Sequence, residues 1–314
     1  MKTILAVRAS AILYNLLLGL KDRRAFLLPG NICPIVPITF FKAGMPFEFL
    51  DIAADTLNID LEQADERIKT GKFCGLLYAH TYGDSSQPTS LLQEIKKNHP
   101  DLILIDDRCL CVPELEPDPI SAADVILYST GYGKIVDRGF GGFAFINEGL
   151  NYQSHSLPFN KQDLEALEIS YKHSIEMGEN FSYPESDWLQ TDPIMPAWPE
   201  FVELVRKEIE ISISHRQSIN AVYNSLIPSW LCLNEQFQLW RFNLRLPDKK
   251  KTLAAIFNEQ LFASSHYASL SGIMGEGRCP VAQLLSKEVV NLFNDAHYTL
   301  QMAERTAQIV LRSL

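Results

Sequence analysis

The chain has 314 residues, 46% of them hydrophobic and 21% charged, a globular composition that excludes a disordered or fibrous protein. Its 28 Lys and Arg against 38 Asp and Glu give a formal net charge of −10. That balance repels phosphate backbones and anionic lipid at long range, so neither nucleic acid nor a membrane surface is expected as the main partner, while a local basic pocket for a small anion stays allowed. The length predicts one large domain and one smaller one.

Met1–Leu20 opens with Lys2 and an apolar run, superficially like a secretory signal. Arg8 and Asn15 interrupt that run, and Lys21-Asp22-Arg23-Arg24 follows without a small-residue cleavage site. Ile12, Leu13, Leu16, Leu17 and Leu20 recur at helical spacing, which reads as a core-facing helix. No apolar stretch reaches the roughly 18 residues that cross a bilayer, and a soluble, cytoplasmic protein is expected. Short apolar runs follow at Ala25–Leu28, Phe47–Leu50, Gly75–Ala79, Leu102–Ile105, Val125–Tyr128 and Gly142–Ile146, with amphipathic segments such as Leu61–Lys69 and Thr89–Asn98 between them. Strands alternating with helices predict an α/β fold with a mainly parallel sheet, whose chemistry gathers at the carboxyl ends of the strands.

Residues 151–200 are rich in Asn, Ser, Pro and Tyr, and Pro184, Pro193, Pro196 and Pro199 break any long helix. They read as a connector, helical around Asp163–Met177. A long helix at about Pro199–Leu226 comes next, then a strand pair (Trp230–Leu233 and Phe237–Leu246), a helix at Lys250–Phe262 and a last helix at Leu300–Ser313. The expected division is therefore a large domain over 1–195, connector included, and a smaller C-terminal α+β domain over 196–314. The six cysteines are Cys33, Cys74, Cys109, Cys111, Cys232 and Cys279, without a CxxC pair. Cys109 and Cys111 would share one face of a strand, but no matching pair follows at zinc spacing, so free thiols in a reducing compartment and no metal are expected.

Three stretches carry candidate chemistry. Tyr128-Ser129-Thr130-Gly131-Tyr132-Gly133-Lys134 runs from a strand into a glycine-bracketed turn and is followed by Gly139-Phe140-Gly141-Gly142. Glycines permit close backbone approach to a ligand, and a partly desolvated lysine there can attack a carbonyl as an amine; a solvated loop lysine is the plain alternative. Asp106-Asp107 ends an apolar strand, where alternation lets one carboxylate face the site while the other caps the next turn. Capping suits Asp106, and Asp107 could keep a pyridinium nitrogen protonated. His80, in Tyr78-Ala79-His80-Thr81-Tyr82-Gly83, ends another strand, as a catalyst or as a hydrogen-bonded core residue.

The order His-x-Tyr-Gly, Asp-Asp, Ser-x4-Lys and Gly-x-Gly-Gly, each after a strand, resembles the DegT/StrS family of pyridoxal-phosphate (PLP) sugar aminotransferases, of fold type I (aspartate aminotransferase-like). The resemblance extends to Pro29–Val36, Ala43–Ile52 and Asp55–Asp60, and near the end to His266-Tyr267, Cys279-Pro280-Val281-Ala282 and Asn291-Leu292-Phe293. It is weakest over 147–230. It implies a three-layer α/β/α PLP-dependent transferase fold, with Lys134 as the Schiff-base lysine and Asp107 as the partner of the pyridine nitrogen. Ser129 would bind the cofactor phosphate, together with Ala9 and Ser10 at a helix N-terminus, where free N–H groups and the dipole face an anion. Cys33 falls about where the family places an aromatic that stacks on the ring, and His80 near the cofactor or substrate. Leu110 stands where the family has a glutamine partner of the ring hydroxyl, Phe140 replaces a frequent Glu, and Asn180–Tyr183 matches the neighbour-subunit Asn-Tyr-Arg stretch poorly. The implied activity is transfer of an amino group from a small-molecule donor to a keto-sugar or other small keto acceptor, in a homodimer. A degenerate binding or assembly protein and a PLP enzyme with dehydratase-like chemistry are the alternatives.

Overall fold

The first strand, β1 (Lys2–Ala6), leads directly into α1 (Ala9–Gly19) in the computed structural model, which describes residues 1–84, 86–192 and 194–314. Pro193 of the connector lies outside the described residues. The chain continues through β2 (Ala25–Pro29), α2 (Ile35–Lys42), β3 (Phe47–Leu50), α3 (Leu61–Ile68), β4 (Phe73–Ala79), α4 (Thr89–Asn98), β5 (Ile103–Asp107), β6 (Val125–Ser129) and β7 (Gly142–Ile146). These strands form one seven-stranded sheet in the order β1-β7-β6-β5-β4-β2-β3, parallel except for β7.

Both faces of the sheet are covered, as a parallel sheet requires. Leu28, Ile105 and Leu127 point to one face and pack with Leu16 of α1, Phe40 of α2 and Leu167 of the later helix α5 (Lys161–Met177). Their neighbours Leu27, Leu104 and Ile126 point to the other, against Ala64 of α3 and Ile95 of α4. The architecture is thus the expected three-layer α/β/α with a mainly parallel sheet. Local chemistry sets the ends of the helices: Asp60 caps α3 by accepting from Gln63 N (3.0 Å), and Gly178 stops α5 in the left-handed region (φ 70°).

Beyond the connector come α6 (Trp198–Leu226), β8 (Phe242–Arg245), α7 (Lys249–Asn258), β9 (Ala263–Ser264), α8 (Pro280–Glu288), β10 (Val289–Leu292) and α9 (Leu300–Ser313), with a second, antiparallel sheet in the order β8-β10-β9. The long α6 serves both halves. Phe201 and Val205 near its start pack on the large sheet, whereas Ile219 and Tyr223 join the core of the small one. None of the helices in the described residues is long and apolar enough to cross a membrane.

Several expectations are corrected. The N-terminal segment is a strand before it is a helix. Trp230–Leu233 is not a strand: it begins as a 3-10 turn (Ser229–Leu231) and touches β8 through the single bridge Cys232–Leu244. The side-chain amide of Gln238 takes over the pairing a strand would have made. Its Nε2 donates to Leu233 O (2.6 Å) and Asn243 O (3.1 Å), and its Oε1 accepts from Asn243 N (2.5 Å). The helix expected to Phe262 ends at Asn258, because the chain turns into β9. Cys109 and Cys111 lie past the end of β5, in a turn and not on a strand face. All six cysteines are free.

Candidate active site

β4, β5 and β6 run parallel and end side by side, so the residues that follow them meet at one edge of the sheet. There Cys33, His80, Asp107, Leu110, Lys134 and Tyr267 line one small cavity. A wider groove lies beside α3, α4 and α8; the most buried of its carboxylates, Asp51, caps α8 through Val281 N (2.8 Å) and Ala282 N (3.0 Å).

The lysine turn is held from three sides. Gly133 takes a left-handed φ of 69°, its carbonyl accepts from Trp240 Nε1 (2.7 Å), and its N–H donates to Asp137 Oδ2 (2.7 Å). The carbonyl of Lys134 accepts from Arg216 Nη2 (2.9 Å), whereas its Nζ makes neither a hydrogen bond nor an ion pair among the described residues. The backbone is pinned and the half-buried amine is left free to react.

Asp107 stands in the cavity as expected, but the cap expected of Asp106 also falls to it. Asp107 lines the cavity and also caps the turn, accepting from Cys109 N at 3.0 Å. Asp106 points to the other side of the strand, where it is fully buried between His80 Nε2 (2.8 Å) and Arg108 Nε (2.8 Å). His80 has its other nitrogen, Nδ1, on Asp84 O at 2.9 Å. Both ring nitrogens therefore face acceptors, the pattern of a charged imidazolium.

Burial opposes that charge, but the hydrogen bond and the charge of Asp106 outweigh it and raise the His80 pKa above its ordinary value. Burial likewise opposes ionisation of Asp106, and His80 and Arg108 more than compensate, so its pKa is lowered. The sign of the linkage follows. The stabilisation from His80 is complete below the unfolded histidine pKa of about 6.5 and is lost as pH rises through the raised folded value. That from Asp106 is lost as pH falls below about 3.9 through the lowered one. Urea midpoints of the wild type and of His80→Gln should therefore differ most near pH 5 and converge towards pH 9. A gap that stays constant over that range would show a neutral ring.

The predicted phosphate residues also come together. Ser129, the last residue of β6, pairs with Gly142 of β7, and a Cβ on Gly142 would lie 2.2 Å from Ala9 N. Only glycine lets the start of α1 approach so closely. Ala9 and Ser10 form the first turn of α1, whose leading N–H groups have no partner within the helix and which holds no acidic residue. Ser129 is buried, and its Oγ accepts from Gly131 N (3.2 Å). Burial raises the thiol pKa values of Cys33 and Cys109, so both face the cavity as neutral thiols. Asn180–Tyr183 packs within its own chain: Phe181 N donates to Ile273 O (2.8 Å) and Tyr183 stacks on Phe41.

Arg216 and Trp240 escaped the sequence reading, and Tyr267 entered it only within the resemblance, without a site role. They lie 82, 106 and 133 positions beyond Lys134, and no local signal gives them that role, save that an arginine on the apolar face of a predicted helix signals a buried partner.

No protein-family model and no curated protein matches the sequence. Solved structures do match, over nearly the whole chain. DesI, crystallised in the presence of its TDP-sugar product, superposes with a TM-score of 0.74 over 100% of this chain and 81% of its own, at 15% identity. A DegT/DnrJ/EryC1/StrS aminotransferase from Brucella abortus gives 0.68 over 99% and 86%, at 13% identity. The E. coli GDP-4-keto-6-deoxy-D-mannose-3-dehydratase with bound hydrated PLP gives 0.65 over 98% and 87%, also at 13% identity. The chain has the PLP-dependent aminotransferase fold. In the aminotransferase fold of this chain, the order of the sheet and its single antiparallel strand bring Lys134, Asp107 and Ser129 to one edge although 27 residues separate the outermost two.

Proposed function

We propose that the protein is a PLP-dependent aminotransferase of the DegT/StrS type, acting on a keto-sugar or another small keto compound with a small-molecule amino donor. The observation that carries this reading is an unpaired amine, Lys134 Nζ, sharing a cavity with the Asp107 carboxylate. The residues fit the cofactor in other ways. Asn31 is fully buried and lines the same cavity; its Nδ2 donates to Leu57 O (3.0 Å), but its Oδ1 is buried with no partner among the described residues. A buried acceptor left unpaired costs about 1–3 kcal/mol, an expense a bound polar ligand removes. Leu110, in place of a polar partner for the ring hydroxyl, keeps that side of the cavity apolar.

When bound, PLP supplies an electron sink that stabilises negative charge at the substrate Cα. Lys134 Nζ would be the amine that holds the cofactor's carbonyl carbon, and it is placed to accept the proton leaving the substrate Cα and to deliver it elsewhere in the site. Asp107 would keep the ring nitrogen protonated. The Ser129 hydroxyl and the amides of Ala9 and Ser10 would hold the phosphate, which the dipole of α1 favours. Leu110, Tyr267 and the neutral thiols of Cys33 and Cys109 keep water from the reacting atoms. His80, bonded through both nitrogens, positions the strand-end turn and has no free nitrogen for proton transfer. A homodimer in the cytoplasm, with the division at 195/196, completes the proposal.

The test is an absorption spectrum of the purified protein with added PLP, before and after borohydride. A visible band that reduction removes, with a pyridoxyl group recovered on Lys134, is expected. Absence of both would give the lead to a binding or assembly protein without turnover. The dehydratase among the superposed structures makes product analysis the second step, since amino transfer leaves nitrogen on the acceptor whereas dehydration removes its hydroxyl as water.

A further inference from the structure

Arg8 stands at the N-cap of α1 with extended backbone (φ −142°, ψ 143°) and makes no side-chain cap bond. One of its donors, Nη1, bonds Gly139 O (2.9 Å), and the guanidinium lies 5.7 Å from the centre of the Tyr132 ring. It forms no ion pair among the described residues, in a chain with ten more acidic than basic side chains. A Cβ placed on Gly131 would lie 3.4 Å from Ser129 Oγ and 3.7 Å from Arg8 Nη1, with no other non-neighbouring atom within 4 Å. Arg8 and the nine-tenths-buried Ser129 thus flank one open point. A guanidinium and a hydroxyl meet there, on the side of the sheet where α1 begins with its leading amides unpartnered within the helix. Donors of these kinds suit a tetrahedral oxyanion, and a guanidinium fork adds charge-assisted bonds to it.

We propose that Arg8 is the charged anchor of the cofactor phosphate, so that this chain supplies the counter-charge of its own phosphate subsite. The proposal rests on the PLP reading above. It is tested by titrating the intact wild type, Arg8→Gln and Arg8→Lys with PLP and with pyridoxal, which lacks the phosphate. The readouts are the visible band and the borohydride-fixed label on Lys134. Loss of a charge-assisted bond worth about 1.5–3 kcal/mol corresponds to a roughly 10- to 100-fold weaker binding of PLP by Arg8→Gln. Pyridoxal should bind both proteins equally, and Arg8→Lys should fall in between for PLP. If Arg8→Gln does not fold, Arg8→Lys still decides, by losing PLP affinity selectively or not. Equal weakening of both ligands would reveal a purely structural role through the Gly139 contact and overturn the proposal. PLP binding by Arg8→Gln at wild-type strength would overturn Arg8 alone, whereas a wild type that takes label from neither ligand would overturn the cofactor reading together with it.

Discussion

A Lys134→Ala chain is expected to fold as the wild type does, to take no pyridoxyl label on borohydride reduction, and to lose turnover entirely. The fold should survive because the lysine turn is held by its backbone. The carbonyls of Gly133 and Lys134 receive Trp240 and Arg216, and both bonds are indifferent to the side chain at 134. The amine itself bonds to nothing among the described residues, so its removal should cost within about 0.5 kcal/mol, as substitutions away from packed or paired features do. Chemistry is affected far more. Proton transfer alone contributes about 10²–10⁴-fold, and the nucleophile is lost as well. A melting curve, a mass spectrum of the reduced protein and an amino-transfer assay check the three parts. Turnover at the wild-type rate in Lys134→Ala would sink the mechanism.

The second large effect concerns Arg216. Its guanidinium is buried and bonds Trp240 O (2.7 Å), Asn294 Oδ1 (2.7 Å), Lys134 O (2.9 Å) and Ser212 Oγ (3.1 Å). It has no carboxylate partner among the described residues; burial, and then the charge of Arg241, push its pKa down to about 10. Substitution by Met keeps most of the volume and removes every donor. The acceptors left behind cost about 1–3 kcal/mol each where water does not reach them, and a total loss on the order of 3–5 kcal/mol is expected. Because Arg216 ties α6 and the β8 region to the lysine turn, labelling of Lys134 by PLP and borohydride should weaken in conditions where the variant is still folded. Urea denaturation of Arg216→Met measures the first effect and labelling below the transition measures the second. A midpoint equal to that of the wild type would mean that the arginine merely fills space.

Much of the large sheet was legible because its strands are apolar runs buried on both faces, and because Pro and Gly punctuate the helices between them. Thr89–Asn98 and Leu300–Ser313 fall where they were expected, since an amphipathic face, Pro88 before the first and the Thr299 cap before the second are local signals. β1 was hidden: it pairs with β7 more than 130 residues away, and its five residues are too short and too evenly half-buried to show alternation. Trp230–Leu233 has strand-like residues, yet a glutamine side chain supplied the bonds and the chain curled.

The candidate site divides along the same line. The sequence by itself determined which residue types follow the strands: Lys134 between glycines, Asp106-Asp107 after an apolar run, His80 before Tyr-Gly. It determined this because strand ends, turns and caps are written in neighbouring residues. Only the tertiary structure decided their roles. Side-chain alternation at the end of β5 turns Asp106 to His80 and Arg108 and leaves Asp107 in the cavity. The pairing of β6 with β7 sets Ser129 beside α1, and a missing Cβ at Gly142 lets them meet. Arg216 and Trp240 reach the lysine turn from elements far along the chain. Contacts across such separations depend on how whole layers pack, and no short stretch of sequence encodes that geometry.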